Sequence, residues 1–159
     1  MREAAYGSPM KEPEAGNSFS MPAMLLRALG TYGGAMRAAL AKAGYDDIPK
    51  NGLYVIGGLA LAGDHPLSRL IDQLQLSKQA AGQLVDALVE RDYLQREVDA
   101  EDRRRLTISL SVRGRAAAKV LAAARARIDE KLTDRLGERD VQSARRALTA
   151  LIQIGKELT

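Results

Sequence analysis

The stretch from Leu74 to Arg115 constrains the fold of this chain more than any other part of the sequence. It has the pattern of a short helix, two strands around a charged tip, and the start of a long helix. Ser77 is a good N-cap for the first of these elements. The residues that follow Ser77 recur at helical spacing and define one apolar face: Ala81, Leu84, Val85 and Leu88. The pattern therefore predicts an amphipathic helix that begins at Ser77.

The opposite face of this predicted helix carries two amides, Gln79 and Gln83, after Lys78. Glutamine can pair with adenine in the major groove of DNA, and lysine can contact a phosphate. Asp86 and Glu90 further along would be repelled by phosphates, so only the first two turns are expected to enter a groove. Taken alone, the helix is more typical of an ordinary amphipathic surface helix than of a DNA-reading one.

Two segments after this helix have the composition of strands, residues 93–98 and 105–110. In the second, Leu106, Ile108 and Leu110 alternate with polar residues, which is the period of a half-buried strand. The polar tip between them carries Arg103 and Arg104. A helix followed by a hairpin with arginines at its tip is the winged variant of the helix-turn-helix. Arginines at such a tip can contact phosphates or enter a narrow minor groove.

The stretch from Leu76 to Arg115 resembles the signature of the MarR family of bacterial transcriptional regulators. Leu94-Gln95-Arg96, the acidic and basic residues from Asp99 to Arg104, and Ile108 to Gly114 match the family pattern in order. The resemblance covers about forty residues. Three departures stand out: Gly82 on the groove-facing side, Asp92-Tyr93 in place of the common glycine, and Ser111 in place of the usual threonine.

The resemblance implies a homodimer in which the terminal helices interlock, with one helix of each subunit in the major groove. It implies a pseudo-palindromic operator in double-stranded DNA, and a repressor as the expected sign of regulation. Many relatives sense small aromatic or phenolic molecules between the dimer helices and the winged domain. The residues expected to line such a pocket are Tyr32, Met36, Tyr54 and Ile56. Plain core positions are the alternative for each of these four.

The flanking sequence predicts further helices. The first helix is capped by Ser18 or Ser20 and ends at Gly44. The second helix starts at a capping Asp46 or Asp47, contains Gly57-Gly58 and runs to Gly63. The third helix runs from Asp64 to Leu74. Ser111 is predicted to cap a long helix with an apolar row at every fourth residue: Ala116, Val120, Ala124, Ile128, Leu132 and Leu136. Asp140 is predicted to cap a last helix whose apolar face contains Val141, Ala144, Leu148, Leu151 and Ile152. Because a small winged domain cannot cover all these apolar stripes, they favour pairing with a second copy.

The expected organisation is mainly α, with a small β-hairpin wing. Residues 1–17 are expected to form a mobile tail because of their prolines and glycines. Residues 18–45 and 112–159 are expected to form the helical dimerisation region, and residues 46–111 the winged helix-turn-helix domain.

Composition excludes several classes of function. The chain has no cysteine, which excludes disulfides and cysteine-based metal sites, and the single histidine, His65, makes a metal site improbable. Phosphate-binding glycine loops and nucleophile elbows are absent from the sequence, so neither an enzyme nor a cofactor is expected. No apolar run reaches membrane-spanning length and the N-terminus lacks a signal-peptide layout, which predicts no membrane partner and a cytoplasmic protein.

The net charge of +4 is modest, but its distribution is informative. From Arg103 to Ile128 the sequence has eight Arg and Lys residues and no Asp or Glu, which creates a positive field on the wing and the following helix. We therefore expect a homodimeric DNA-binding regulator, with Ser77, Lys78, Gln79, Gln83, Arg103 and Arg104 as its DNA-contacting residues. The alternative is a winged-helix protein-interaction module without DNA binding, which Gly82, Asp86 and Glu90 favour.

Overall fold

The computed structural model describes residues 19–62, 76–98 and 106–158. Within these ranges the chain has five helices and two strands. The helices are α1 (Met21–Lys42), α2 (Gly52–Ala62), α3 (Lys78–Glu90), α4 (Val112–Leu136) and α5 (Glu138–Glu157), and the strands are β1 (Leu94–Val98) and β2 (Leu106–Leu110). The predicted mainly α class with a small hairpin is confirmed. The predicted third helix, His65 and the hairpin tip lie outside the described residues.

The chain divides into two units at the junction between Thr31 and Tyr32, inside α1. In the first unit the Arg27 guanidinium lies 4.3 Å from the centre of the Phe19 ring, and the Thr31 hydroxyl donates to the Arg27 carbonyl at 3.3 Å. The second unit, from Tyr32 to Thr159, contains the rest of α1, the helices α2 to α5 and both strands. The predicted boundaries between dimerisation and DNA-binding regions stay a prediction.

The hydrophobic core lies in the second unit and draws on every kind of element in it. Its largest fully buried side chains come from α1, α2, α3, β1 and α4 and from the turn before β1: Leu40, Leu53, Val55, Ile56, Leu88, Tyr93, Leu94 and Leu121. The hairpin is antiparallel, with Leu94 opposite Leu110 and Arg96 opposite Ile108. Since side chains alternate across a strand, this register turns Leu94 and Leu110 to the core.

Two predicted N-caps are confirmed. The Ser77 hydroxyl accepts from the Ala80 backbone N–H at 3.2 Å at the start of α3. The Ser111 hydroxyl accepts from the Gly114 N–H at 2.9 Å at the start of α4. Each side-chain oxygen satisfies one backbone donor that the first helical turn leaves unpaired.

The predicted start of the second helix is wrong. It begins at Gly52, and residues 46–51 form turns, so neither Asp46 nor Asp47 is its N-cap. The Asp47 carboxylate instead accepts hydrogen bonds from Tyr93 and Arg113. A side chain that binds residues distant in sequence is not available to the nearby helix terminus.

The predicted cap of the last helix is also wrong, because α5 begins directly after Gly137, which ends α4 with φ +80°. Asp140 therefore lies inside the first turn of α5 with Glu138. There the two carboxylates still favour the helix, since they face the positive end of its dipole.

The predicted apolar row of the long helix differs from the buried face of α4: the two share Ala124, and Val120 is partly buried against the core. The pairing of this row with a second copy stays a prediction. The buried face of α4 consists of small residues with one leucine: Gly114, Ala117, Ala118, Leu121 and Ala124. A row at strict spacing of four residues turns by about 40° per step around a helix of 3.6 residues per turn, so it leaves the core side. The observed face follows spacings of three and four residues and packs against α2, where a Cβ at Gly57 would be 3.9 Å from Leu121.

The turn between α3 and β1 packs closely on the start of α4. Asp92 has a left-handed backbone with φ 60°, which explains why glycine is common there in the pattern that the sequence resembles. The Ser111 N–H donates to the Tyr93 carbonyl at 3.1 Å, and the Ser111 hydroxyl donates to the Asp92 carbonyl. At Gly114, a Cβ would overlap the Tyr93 carbonyl oxygen, so this approach requires glycine.

The left-handed turn generates a stability prediction. Asp92→Gly should raise the free energy of unfolding by about 0.5–1 kcal/mol, because glycine adopts positive φ without the steric cost of a Cβ. Gly44 is the matched control, since it has φ +82° and an added Cβ would meet no atom within 4 Å. Gly44→Ala should therefore destabilise by about 1 kcal/mol. Urea unfolding measures both changes, and an Asp92→Gly variant less stable than the natural chain would contradict the assignment.

Candidate nucleic-acid interface

The exposed face of α3 carries the residues that the sequence analysis selected. Lys78, Gln79, Gly82, Gln83 and Asp86 are all exposed. The opposite face, formed by Ala81, Val85 and Leu88, is buried in the core. Four of the six predicted DNA-contacting residues, Ser77, Lys78, Gln79 and Gln83, thus occupy one continuous exposed surface. Arg103 and Arg104 lie outside the described residues, so their predicted role stays a prediction.

The N-terminal end of this surface has the electrostatics of an anion site. The first turn of α3 contains no acidic residue, and Lys78 adds a full positive charge to the partial charge of the helix terminus. Backbone N–H groups at such a terminus attract phosphate oxygens. The surface therefore combines a positive end with two neutral amides, Gln79 and Gln83, that can donate and accept hydrogen bonds.

Asp86 is paired with a cation. The Arg96 guanidinium on β1 donates to the Asp86 carboxylate, and both side chains remain largely exposed, at 44% and 66%. Such an exposed pair contributes at most about 1 kcal/mol. Its larger effect is local, because it offsets the negative charge that the sequence analysis expected to repel phosphates at this position. It also links α3 directly to the first strand of the hairpin.

The turn after α3 is held by three side chains that are distant in sequence, Asp47, Tyr93 and Arg113. The Tyr93 hydroxyl donates to Asp47 Oδ1. Arg113 Nη2 donates to Asp47 Oδ1 at 3.0 Å, to Asp47 Oδ2 at 3.2 Å and to the Tyr93 hydroxyl at 3.0 Å. The Arg113 guanidinium also lies 4.5 Å from the centre of the Tyr93 ring, close enough for a cation–π contact. We call these three residues the Asp47–Tyr93–Arg113 cluster.

This cluster joins the approach to α2, the turn between α3 and β1, and the first turn of α4. Arg113 Nη1 also donates to the Arg91 carbonyl at 3.1 Å, and Tyr45 packs edge-on against the Tyr93 ring at 6.2 Å between centres. The cluster therefore fixes the C-terminal end of α3 relative to the start of α2 and the start of α4. Sequence reasoning missed it because its members are separated by 46 and 20 positions, and no local pattern links them.

The protonation states in the cluster follow from its contacts. The hydrogen bond from Tyr93, assisted by the positive charge of Arg113, lowers the pKa of Asp47 below its ordinary value. Burial, followed by the hydrogen bond to Asp47, raises the pKa of Tyr93 to about 12. At neutral pH the phenol is thus a donor to an ionised carboxylate, which is the stronger form of this hydrogen bond.

The four predicted ligand-contacting residues have different environments. Met36 and Ile56 are buried members of the hydrophobic core. Tyr54 is partly buried, and its hydroxyl lies close above Gly33, only 2.7 Å from where a Cβ would stand. Tyr32 is also partly buried, and its hydroxyl donates to Asp129. The role of these residues in ligand binding stays a prediction.

A second polar group joins α1, α4 and α5. Asp129 accepts from Tyr32 and lies 3.6 Å from Arg145 Nη2. Burial and the hydrogen bond to Asp129 raise the pKa of Tyr32 above its ordinary value. These contacts tie the C-terminal helix to α1 at a point where few apolar contacts are made, since only Val141 of α5 is buried.

Within the residues that the structure describes, no group of three or more His, Asp and Glu side chains is arranged to hold a metal ion. None of the described helices has the length and apolarity needed to cross a membrane.

Comparisons with known proteins show a family match over part of the chain and a shared fold. A model of the MarR family matches residues 47–105. Comparison with curated protein sequences gives no match. The fold is shared with Streptococcus pneumoniae FabT in complex with DNA, at a TM-score of 0.70 and 20% identity over 86% of this chain and 95% of that one.

Two structures of S. aureus MepR also share the fold. The MepR–DNA complex matches with a TM-score of 0.67 and 19% identity over 86% of this chain and 98% of that one. MepR bound to ethidium bromide matches with a TM-score of 0.55 and 18% identity over 85% of this chain and 96% of that one. These structures confirm the predicted winged-helix fold, and the family model agrees with the resemblance to the MarR family over residues 47–105.

The Asp47–Tyr93–Arg113 cluster generates a pH prediction. Tyr93→Phe should lower the free energy of unfolding by about 1–2 kcal/mol at neutral pH, because it removes a hydrogen bond to a charged acceptor. The raised pKa of Tyr93 stabilises the fold below pH 10, and this contribution is lost as the pH rises towards 12. The destabilising effect of the substitution should therefore shrink between pH 10 and pH 12. Chemical unfolding at pH 8 and pH 11 measures it, and an equal effect at both values would contradict the assignment.

Proposed function

We propose that this chain, a member of the MarR family by its match over residues 47–105 and by its fold, is a DNA-binding transcriptional regulator that acts as a homodimer. In this proposal α3 of each subunit enters the major groove of one half-site of a pseudo-palindromic operator, and the hairpin reaches the adjacent backbone or minor groove. We expect the protein to repress transcription of the genes that it regulates. The observation that carries the proposal is the exposed face of α3, on which Lys78, Gln79 and Gln83 lie together at its positive end.

The chemistry of that face supports a division of roles. Ser77 caps the helix and presents its first turn to a phosphate. Lys78 supplies a phosphate contact, while Gln79 and Gln83 are proposed to read base edges, since a glutamine amide matches the N6 and N7 atoms of adenine. Arg103 and Arg104 are proposed to contact phosphates or the minor groove from the hairpin tip.

Two of the similar structures are DNA complexes, FabT in complex with DNA and the MepR–DNA complex. Both cover most of this chain at a TM-score near 0.7. Because identity is about one fifth, we take from them support for the docking geometry of the fold and not for any particular contact. The residues that recognise the DNA sequence are therefore proposed from the side chains of this chain alone.

The two kinds of proposed DNA contact are distinguishable by salt. A phosphate contact releases counterions, so log K falls with log salt by about 0.9 per contact on duplex DNA. Changing Arg103 and Arg104 to Ala removes up to four such contacts per dimer. This should flatten the salt slope by at most roughly 3 to 4 units and weaken specific and random DNA similarly.

Gln83→Ala should leave that slope nearly unchanged and cost about 1–3 kcal/mol on the specific site alone. Binding isotherms at several salt concentrations on a selected and a random duplex measure both variants. Equal weakening of both duplexes by Gln83→Ala would reject base reading by α3. An unchanged slope in the double arginine variant would reject DNA contact by the hairpin tip and would favour a protein-interaction module.

The homodimer is supported by the exposed apolar face of α5. Leu148, Leu151 and Ile152 are 44%, 45% and 64% exposed in the single chain, and their spacing aligns them on one side of the helix. An apolar stripe of this kind on a soluble helix is typical of an interface between copies. The proposal places residues 18–45 and 112–159 in that dimerisation region.

Replacing Leu148 and Leu151 by Glu should therefore convert the dimer to a monomer and weaken operator binding together, because one half-site alone retains half of the contacts. Gln153→Glu is the matched control, an added negative charge on the same helix outside the apolar stripe. Analytical ultracentrifugation at micromolar concentration reports the assembly. A natural chain that sediments as a monomer at high concentration, yet binds the operator tightly, would contradict a dimeric regulator.

We further propose that a small aromatic or phenolic ligand releases the protein from its operator. This release is supported by the similarity to MepR bound to ethidium bromide and by the aromatic side chains of Tyr32 and Tyr54, which pack against the hydrophobic core that contains Met36. A ligand that binds only the native state raises the melting temperature. The test is a panel of aromatic acids and phenols, scored by melting temperature and by operator affinity at fixed salt.

A further inference from the structure

No contact within the described part of the chain requires glycine at position 82. Gly82 lies in the interior of α3, where its φ is not positive. A Cβ built on it would meet no atom of the described residues within 4 Å. Glycine in a helix interior is less stable than alanine because it loses more backbone freedom on folding. The residue therefore destabilises α3 without a packing contact or a turn that would require it.

Gly82 leaves a gap between charged and amide side chains on the exposed face of α3. Residues four apart form rows along a helix, so Gly82 lies between Lys78 and Asp86 in one row. The neighbouring row contains Gln79 and Gln83, which are also exposed. The absent side chain thus creates a notch beside the two amides, bordered by a cation at one end. At the other end Asp86 is held by Arg96, so its carboxylate is already engaged.

We propose that Gly82 determines sequence specificity by seating the 5-methyl group of a thymine in this notch. This inference rests on the proposed function. Glutamine pairs with the N6 and N7 atoms of adenine, and the thymine of an A·T pair projects its methyl group into the same groove. A side chain between the amides and that methyl group would hold the α3 backbone away from the base edges. With glycine, the backbone approaches closely and both amides reach their acceptors and donors.

The first measurement uses the full-length chain and a duplex that it selects from random-sequence DNA. Gly82→Ala should raise the melting temperature and yet weaken binding to the selected duplex about tenfold or more, with Gly82→Leu weaker still. Binding to random DNA should change little. Gly57→Ala is the matched control, since Gly57 is a helical glycine on α2, outside the proposed dimerisation region, whose added Cβ would make only an ordinary contact at 3.9 Å from Leu121. It should raise the melting temperature without changing the preference for the selected duplex.

The second measurement replaces thymine by deoxyuridine, which lacks only the 5-methyl group, at each A·T pair of the selected half-site in turn. At one position this change should restore binding of the Gly82→Ala variant to near the natural level. Full affinity of Gly82→Ala for the selected duplex would overturn the inference, and so would a loss that no deoxyuridine restores. Failure of the natural chain to select any sequence would instead refute the proposed function, so the two failures are distinguishable.

Discussion

The ion-paired hydrogen bonds among Asp47, Tyr93 and Arg113 are the constraint on which the geometry of the candidate interface depends. Tyr93 is fully buried and follows directly after the left-handed turn at Asp92. The turn sets the direction in which β1 leaves α3, and Arg113 carries the same constraint into the first turn of α4. The Asp47–Tyr93–Arg113 cluster therefore anchors the C-terminal end of α3, the helix that carries the exposed face.

The two faces of α3 are therefore expected to differ in their tolerance of substitution. Leu88 of α3 lies in the packed core, and Gly114 at the start of α4 lies against the Tyr93 carbonyl, so a change in volume at either position should destabilise the fold. Gln79, Gly82 and Gln83 contact nothing that fixes their identity within the chain. Their identities are free to be set by a partner, which is the expected division between scaffold and binding surface.

Much of the fold was predictable because its signals are local. The caps at Ser77 and Ser111, the two strands and the end of α1 near Gly44 depend on residues a few positions apart, and the structure confirms each. The start of α2 and the buried row of α4 were not predictable in this way. Asp47 had the composition of an N-cap but binds Tyr93, 46 positions away. The core face of α4 is made of Gly and Ala with the single leucine Leu121. Such small residues give weak hydrophobic periodicity although they permit close packing on α2.

The candidate site was predictable in part for the same reason. Exposure of Lys78, Gln79 and Gln83 followed from the helical period, whereas the pairing of Asp86 with Arg96 required knowledge of how β1 returns past α3. The central claim is that α3 of a two-fold dimer reads DNA. Its most direct test is selection of duplexes from random-sequence DNA by the purified chain. The account predicts enrichment of an inverted repeat with half-sites centred about one helical turn, roughly 10 base pairs, or a multiple of it apart. Recovery of random sequences, or of a single unrepeated motif, would contradict it.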